Sequence, residues 1–399
     1  MIKIDAIENV YRGEIYPRII AQEGDEGPEK SHERVMEELA EVENNPVKKL
    51  GAELIGKAFF TYRSPRLQSR LFGKKLKNPF FLAAGFDKNF IAPDTIAHFF
   101  GFGGLEGGTA TTKAYKGNPK PRVFRDAESS SLINRMGFPG DGLQVIVPRL
   151  KGKWSTNASS DYVRGVNIGA SMPSFTEKTV IQDLLQAYRD TYQFGDYTVY
   201  NFSSPNTEGV TKLQDPEVVF DVLQRSDWHR EMMSYGYDKK PTLIKLGPDL
   251  EDRQYSEIID AMIEGGADGV IVTNTSTNPE IKGKLQGLHR EEVGGASGAV
   301  LTERALDVNI MVNDLVRGRM VIGRAGGLMT GKDIHDAISY GGADFVQIYS
   351  KFVLPGHSSP YVVYDLAKDL DRDLEALRMS NVTELKNSQK AYEPAQKAA

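Results

Sequence analysis

Seven residues near the middle of the chain carry its densest chemistry: Asn201-Phe202-Ser203-Ser204-Pro205-Asn206-Thr207. Pro205 fixes the backbone between two primary amides and a set of hydroxyls. An amide offers an acceptor oxygen and donor N–H groups together, so Asn201 and Asn206 suit a flat ring that bears both kinds of group. A serine between them, Ser204, is placed to act on a proton of that ring. The same composition also makes an ordinary polar turn, because Asn, Ser and Pro all favour turns. The rest of the chain decides between the two.

The heptapeptide ends an alternating apolar run, 197–200, which reads as a buried strand spilling into a loop. Seven further runs of this kind lie at 80–85, 103–108, 165–169, 242–247, 269–275, 320–323 and 345–350. Helical patterns separate most of them, near 89–100, 177–193, 215–235, 251–265, 302–318 and 331–341. Eight alternating units predict an α/β fold, a (β/α)8 TIM barrel over 78–371. A small helical extension, 1–77, precedes it, with helices expected over 28–39 and 47–60; the second places Leu50, Leu54, Ile55, Ala58 and Phe59 on one face. A polar tail, 372–399, follows, read as frayed or loosely helical. Two connections, 110–164 and 276–300, are too long for plain loops and are expected to rise over the C-terminal face of the barrel.

The strand ends position the remaining chemistry. Lys88 and Lys245 stand at the ends of apolar strands, where a cation is costly without a negative or polarisable partner. Ser297-Gly298, Gly326-Gly327 and Tyr349-Ser350 are backbone suited to a phosphate, at strand ends where this fold commonly binds one. With four amides, Asn134, Asn201, Asn206 and Asn274, the set is satisfied by a flavin mononucleotide (FMN) and a planar, amide-rich substrate stacked on it.

Composition removes several alternatives. The formal net charge of −5 gives no basic footprint for nucleic acid. The chain has no cysteine, which excludes disulfides, iron–sulfur clusters, thiolate zinc sites and a cysteine base. Its six histidines are not spaced as metal ligands, and no metal is expected. The first residues lack the pattern of a signal peptide, and no window reaches the roughly 18 apolar residues of a transmembrane helix. Contact with a membrane is therefore expected to be peripheral.

The segments 78–89 (NPFFLAAGFDKN), 117–125 (GNPKPRVFR), 133–138 (INRMGF), 201–209 (NFSSPNTEG), 272–275 (VTNT) and 294–298 (GGASG) together resemble dihydroorotate dehydrogenases of the class 2, quinone-reducing, membrane-associated branch. The resemblance spans about residues 28–370. It implies oxidation of (S)-dihydroorotate to orotate in pyrimidine biosynthesis, with hydride passing to FMN and electrons then to a quinone. The alternative is a related FMN barrel acting on another ring or reducing a soluble acceptor.

By the same resemblance Ser204 is the general base, with Thr207 and Phe138 helping its proton to solvent. Asn134, Asn201, Asn206, Asn274 and Thr275, with Lys88, meet the substrate. Ala83, Ala84, Gly85, Lys88, Thr109, Asn167, Asn201, Lys245, Thr273, Ser297, Gly298, Gly326, Gly327, Tyr349 and Ser350 meet the flavin. His32, Arg125 and Tyr349 fall on quinone-site positions, and the N-terminal helices become a quinone mouth. The implied location is peripheral, on the inner face of a cell membrane or on the mitochondrial inner membrane, with a cytoplasmic protein as the alternative. Arg324-Ala325 reads as one extra residue in the Gly-rich phosphate loop. Oligomeric state stays open.

Overall fold

Residues 27–154, 161–171, 177–206, 210–233, 239–354 and 360–388 are described by a computed structural model of the chain. Two short strands, β1 (Ser69–Leu71) and β2 (Lys74–Leu76), pair as a hairpin whose turn residues Phe72 and Gly73 both have positive φ. That is the turn geometry whose twist matches the strands it joins. Eight strands then close a parallel barrel in chain order: β3 (Phe80–Leu82), β4 (Gly104–Ala110), β7 (Val163–Ile168), β8 (Tyr197–Asn201), β9 (Thr242–Leu246), β10 (Gly269–Val272), β12 (Val321–Ala325) and β13 (Phe345–Ile348). All eight expected strands are present, and β13 pairs with β3 to complete the ring.

Side chains alternate across the barrel wall, as a period of two requires. Phe81, Val163, Tyr197, Val199, Leu243, Ile271, Ala325 and Phe345 pack inside, and Leu71 and Leu76 of the hairpin join the same cluster. Their neighbours Phe80, Leu82, Ile244, Val270, Ile322 and Val346 face the helices in the larger outer cluster. Moving along the strands, the interior turns polar: Glu106, Asn167, Asn201, Lys245 and Gln347 are all buried.

The helices are α1 (Gly27–Glu43), α2 (Pro46–Ile55), α3 (Pro93–Phe99), α4 (Leu143–Lys153), α5 (Glu177–Thr191), α6 (Pro216–Met233), α7 (Asp252–Glu264), α8 (Pro279–Lys282), α9 (Thr302–Val316), α10 (Gly331–Ser339), α11 (Ser350–Val353), α12 (Val362–Ala376) and α13 (Val382–Asn387). Asn45 caps α2 by accepting from the N–H groups of Val47 and Lys48. The helix expected to reach residue 60 stops at Ile55 and continues as a π turn, Gly56–Phe60. At Gly56 a Cβ would stand 2.4 Å from the His98 carbonyl oxygen, so the chain is pressed against α3 there. Val47, Leu50, Leu54, Ile55 and Phe59 remain exposed.

The two long connections, 110–164 and 276–300, are more than plain loops, as their length predicts: β5 (Val123–Asp126), β6 (Ser131–Asn134) and β11 (Gly295–Gly298) form an antiparallel sheet. Arg324 and Ala325 do not lengthen a loop, because both pair with β13 as the last residues of β12. Helix α12 runs through the boundary placed at 371/372, since Leu366, Leu370 and Leu374 form a buried stripe at i, i+4 spacing. Helix α13 follows with Val382 and Leu385 buried, so the chain to 388 is packed rather than frayed.

Candidate active site

The strand β8 delivers the central segment. Tyr197–Asn201 is wholly buried, and the chain leaves the barrel rim at Asn201, which turns its side chain back to accept from Ser203 N–H and Oγ. Ser204, buried in its turn, lines a cavity of about 1240 Å³. Asn134, Asn201, Asn206, Asn274 and Thr275 line the same cavity. They are held in a mesh: Asn206 Nδ2 donates to Asn134 Oδ1 at 3.1 Å, and Asn274 Nδ2 donates to Ser203 Oγ at 3.1 Å and Asn201 Oδ1 at 3.4 Å. Asn201 Nδ2 reaches Thr109 Oγ1 at 3.1 Å. Among the described residues Thr275 Oγ1 is buried without a hydrogen-bond partner, which leaves it able to bond a ligand in the cavity.

The small antiparallel sheet brings in residues far apart in sequence. Gly295 pairs with Asn134, and its N–H donates to Asn206 Oδ1 at 3.2 Å. Ser297, also on β11, bonds through its hydroxyl to Ser350 Oγ at 3.0 Å. Phe138 lines the cavity with a positive φ of 55°. Thr207 lies outside the described residues.

Below the cavity, on the barrel axis, Glu106 is a hub that the sequence reading missed. Its carboxylate accepts from Asn167 Nδ2 at 2.8 Å, Gln347 Nε2 at 2.6 Å and Tyr197 OH at 3.2 Å. Gln347 in turn accepts from Lys245 Nζ at 3.1 Å. A lone acid inside an apolar strand was the available signal, since burying one requires partners. Asn167 does not reach the cavity lining: it donates to Glu106 and accepts from Thr109 Oγ1 at 2.6 Å. Gly298 also lies behind the lining, where a Cβ would meet Ser130 O at 2.5 Å.

A sequence profile of the family described as "Dihydroorotate dehydrogenase" matches residues 66–374. The chain belongs to the dihydroorotate dehydrogenase family. Among similar proteins, one named "Dihydroorotate dehydrogenase (quinone)" from Gloeobacter violaceus is 35% identical over 350 residues, 87% of this chain and 91% of the relative. Another of that name, from Crocosphaera subtropica, is 31% identical over 377 residues, 93% and 96% of the two chains. The crystal structure of ligand-free DHODH from Eimeria tenella is similar with a TM-score of 0.79 at 30% identity, covering 92% of this chain and all of that one.

Dihydroorotate dehydrogenases are flavin-dependent, and the residues present fit such a group. The cavity exceeds the usual volume for one small ligand, about 300–1000 Å³. Ala83, Ala84, Gly85, Lys88, Thr109, Lys245 and Thr273 line it. Ser297, Gly326, Gly327, Tyr349 and Ser350 complete a second wall. Gly326 and Gly327 both have positive φ, and a Cβ on Gly327 would meet Thr302 Cα at 2.4 Å, so this cradle needs glycine. Burial pushes the Lys88 ammonium down to about 8, with Arg122 adding to the effect and Glu29, Asp87 and Glu33 opposing it. Asp87 shapes the turn that projects Lys88 by accepting from Ile91 N–H at 2.7 Å and Ala92 N–H at 3.0 Å.

The third edge of the dihydroorotate dehydrogenase cavity is apolar. Val35 and Met36 of α1 line it with Phe86, Ile91, Phe100 and Phe352. His32 packs edge-on against Phe86, with ring centroids 4.9 Å apart. Its imidazole is held well below its usual range, first by burial and then by Lys88, so it is neutral. Arg125 and Tyr349 line the same region, and burial raises the Tyr349 phenol to about 12. Glu29 of α1 holds the helix in place through Arg122, at 2.6 Å from Nη2 and 3.1 Å from Nε.

Proposed function

We propose that this chain oxidises (S)-dihydroorotate to orotate in pyrimidine biosynthesis, using FMN and delivering the electrons to a quinone. The observation that carries this reading is one cavity with three kinds of wall: Ser204 among amides, a glycine cradle with two lysines, and an apolar edge under α1. An FMN held by the glycine cradle and the two lysines would supply an acceptor for the hydride lost by the ring and a donor of the electron pair to the quinone.

The side chains do the rest. The Asn134, Asn201, Asn206 and Asn274 amides match the alternating donors and acceptors of the ring, and rings that leave them unpaired are rejected. Ser204 Oγ removes the C5 proton as the hydride leaves C6. A serine hydroxyl is a weak base, so its action depends on orientation and on a route for the proton; Phe138, which lines the same cavity, is assigned to that route by the family resemblance. Lys88 and Lys245 offset negative charge gathered on the flavin ring. Neutral His32, with Arg125 and Tyr349, offers polar contacts to a quinone headgroup at the apolar edge.

Among the described residues no helix is long and apolar enough to cross a membrane. The exposed apolar face of α2 supports peripheral attachment to the inner face of a membrane, with α1 as the quinone entrance.

The test is anaerobic mixing with dihydroorotate while the flavin absorbance is followed, then addition of a short-chain quinone. Bleaching and then recovery are expected. Recovery with fumarate or nicotinamide instead would replace the quinone by a soluble acceptor. Ser204→Ala should slow bleaching by about 10²- to 10⁴-fold with the flavin still bound; equal rates would remove Ser204 from its role.

A further inference from the structure

The last residues of β12 point to opposite sides of the barrel wall. Ala325 packs inside with Phe81 and Ile271, so Arg324 faces the helix layer, where it is 1% exposed. A buried cation is retained where an opposite charge or well-aimed dipoles offset it. Among the described residues Arg324 makes no ion pair, and its Nε has no hydrogen-bond partner. The acid whose field reaches it is Asp333 on α10, and that carboxylate already accepts from the N–H groups of Met329 and Thr330. Burial pushes the guanidinium down to about 9, which still leaves it cationic at neutral pH.

What Arg324 does hold is the glycine cradle. Its Nη1 donates to the carbonyl oxygens of Ala325 and of Gly326, the latter at 2.6 Å. In a trans peptide the C=O and N–H point to opposite sides. Fixing the Gly326 carbonyl on the guanidinium therefore turns the Gly327 N–H away from it. Gly326 and Gly327 line the cavity, and Arg324 sits directly behind them. Thr302 Oγ1 holds the next carbonyl, that of Gly327, at 2.8 Å.

We propose that Arg324 is a positioning residue for the phosphate of the flavin mononucleotide: it fixes the Gly326–Gly327 peptide beside the cavity and supplies a positive charge behind it. This rests on the FMN reading of the site. A dianion in the cradle is the partner that the buried guanidinium lacks, and the contact runs through the loop. The consequence is selectivity: a flavin without the phosphate gains nothing from Arg324.

The test compares full-length wild type, Arg324→Gln and Arg324→Lys, loaded with FMN or with riboflavin. Flavin release on dilution is read by fluorescence. In Arg324→Gln, FMN binding should weaken roughly tenfold to a hundredfold while riboflavin changes by less than about twofold. Phosphorus NMR of bound FMN should show the phosphate holding its dianionic form to lower pH in wild type than in Arg324→Gln. Equal weakening of both flavins, or no weakening of either, overturns the proposal and leaves FMN as the cofactor. Should Arg324→Gln not fold, Arg324→Lys decides: reduced discrimination between the two flavins is expected, and unchanged discrimination overturns the role. A wild-type chain that takes up no FMN overturns both readings.

Discussion

Lys88 carries two demands that pull against each other. It must be a cation to meet an anionic ring, yet its burial favours the neutral amine. With its ammonium lowered to about 8, the site is charged below that pH and loses its charge above it. A bound anion draws the proton back, so binding takes up a proton at alkaline pH. Orotate affinity should be flat from pH 6 to 7.5 and then fall by up to about tenfold per pH unit above 8. Titrations of flavin absorbance with orotate across that range measure it, and Lys88→Arg should keep the curve flat because a guanidinium does not titrate there. A decline in both proteins would place the titrating group elsewhere.

Among the elements, α1 is tied to the rest of the molecule through two buried carboxylates. Glu29 and Arg122 are both nearly buried, and Glu43 accepts from Thr95 N–H at 2.8 Å and Oγ1 at 2.6 Å. Removing one partner of a buried pair strands the other, at a cost of about 3–5 kcal/mol. Glu29→Gln should therefore loosen α1 without unfolding the barrel. Protease cleavage within 27–60 should speed up, and quinone turnover should fall while reduction by dihydroorotate stays close to wild type. Parallel loss of both half-reactions would mean that α1 supports the whole site.

These elements were legible to different degrees. The eight barrel strands showed themselves because each is a short apolar run closed by glycine or a polar residue, a strictly local signal. The sheet of β5, β6 and β11 did not, because its ladder joins Asn134 to Gly295 and no local pattern records such a pairing. Glu106 was read as part of a strand, since what makes it a hub is the convergence of Asn167, Tyr197 and Gln347 from three other strands. The amides around Ser204 were legible as a set by resemblance, but the hydrogen bonds that orient them required coordinates. The π turn at Gly56 came from a close approach to α3, which sequence periodicity cannot register.

For the molecule as a whole, one exposed apolar face breaks the usual order of a soluble surface. Val47 is 81% exposed and Leu54 59%, on the same side of α2 at i, i+7. Leu50→Glu with Leu54→Glu should lower co-sedimentation with lipid vesicles and slow turnover with a long-chain quinone carried in them, while turnover with a short-chain quinone in buffer stays unchanged. Undiminished co-sedimentation would assign vesicle contact to another surface.

The closure of the barrel also has a meaning in time. Asp371 on α12 binds Tyr62 OH at 2.9 Å, and those partners are separated by 309 residues; Ser64 and Arg66 lean on the same carboxylate. On a ribosome adding about 5–20 residues per second, the segment around Tyr62 waits roughly 15 to 60 s for its anchor to be made. Strand β3 waits similarly for β13, so no ring can form until nearly the whole chain has emerged. Throughout that interval Phe80, Phe81 and Leu82 of β3, all fully buried in the finished barrel, are synthesised with one strand edge open. Newborn chains of this protein are thus a natural client for whatever shields apolar strand edges at the ribosome exit.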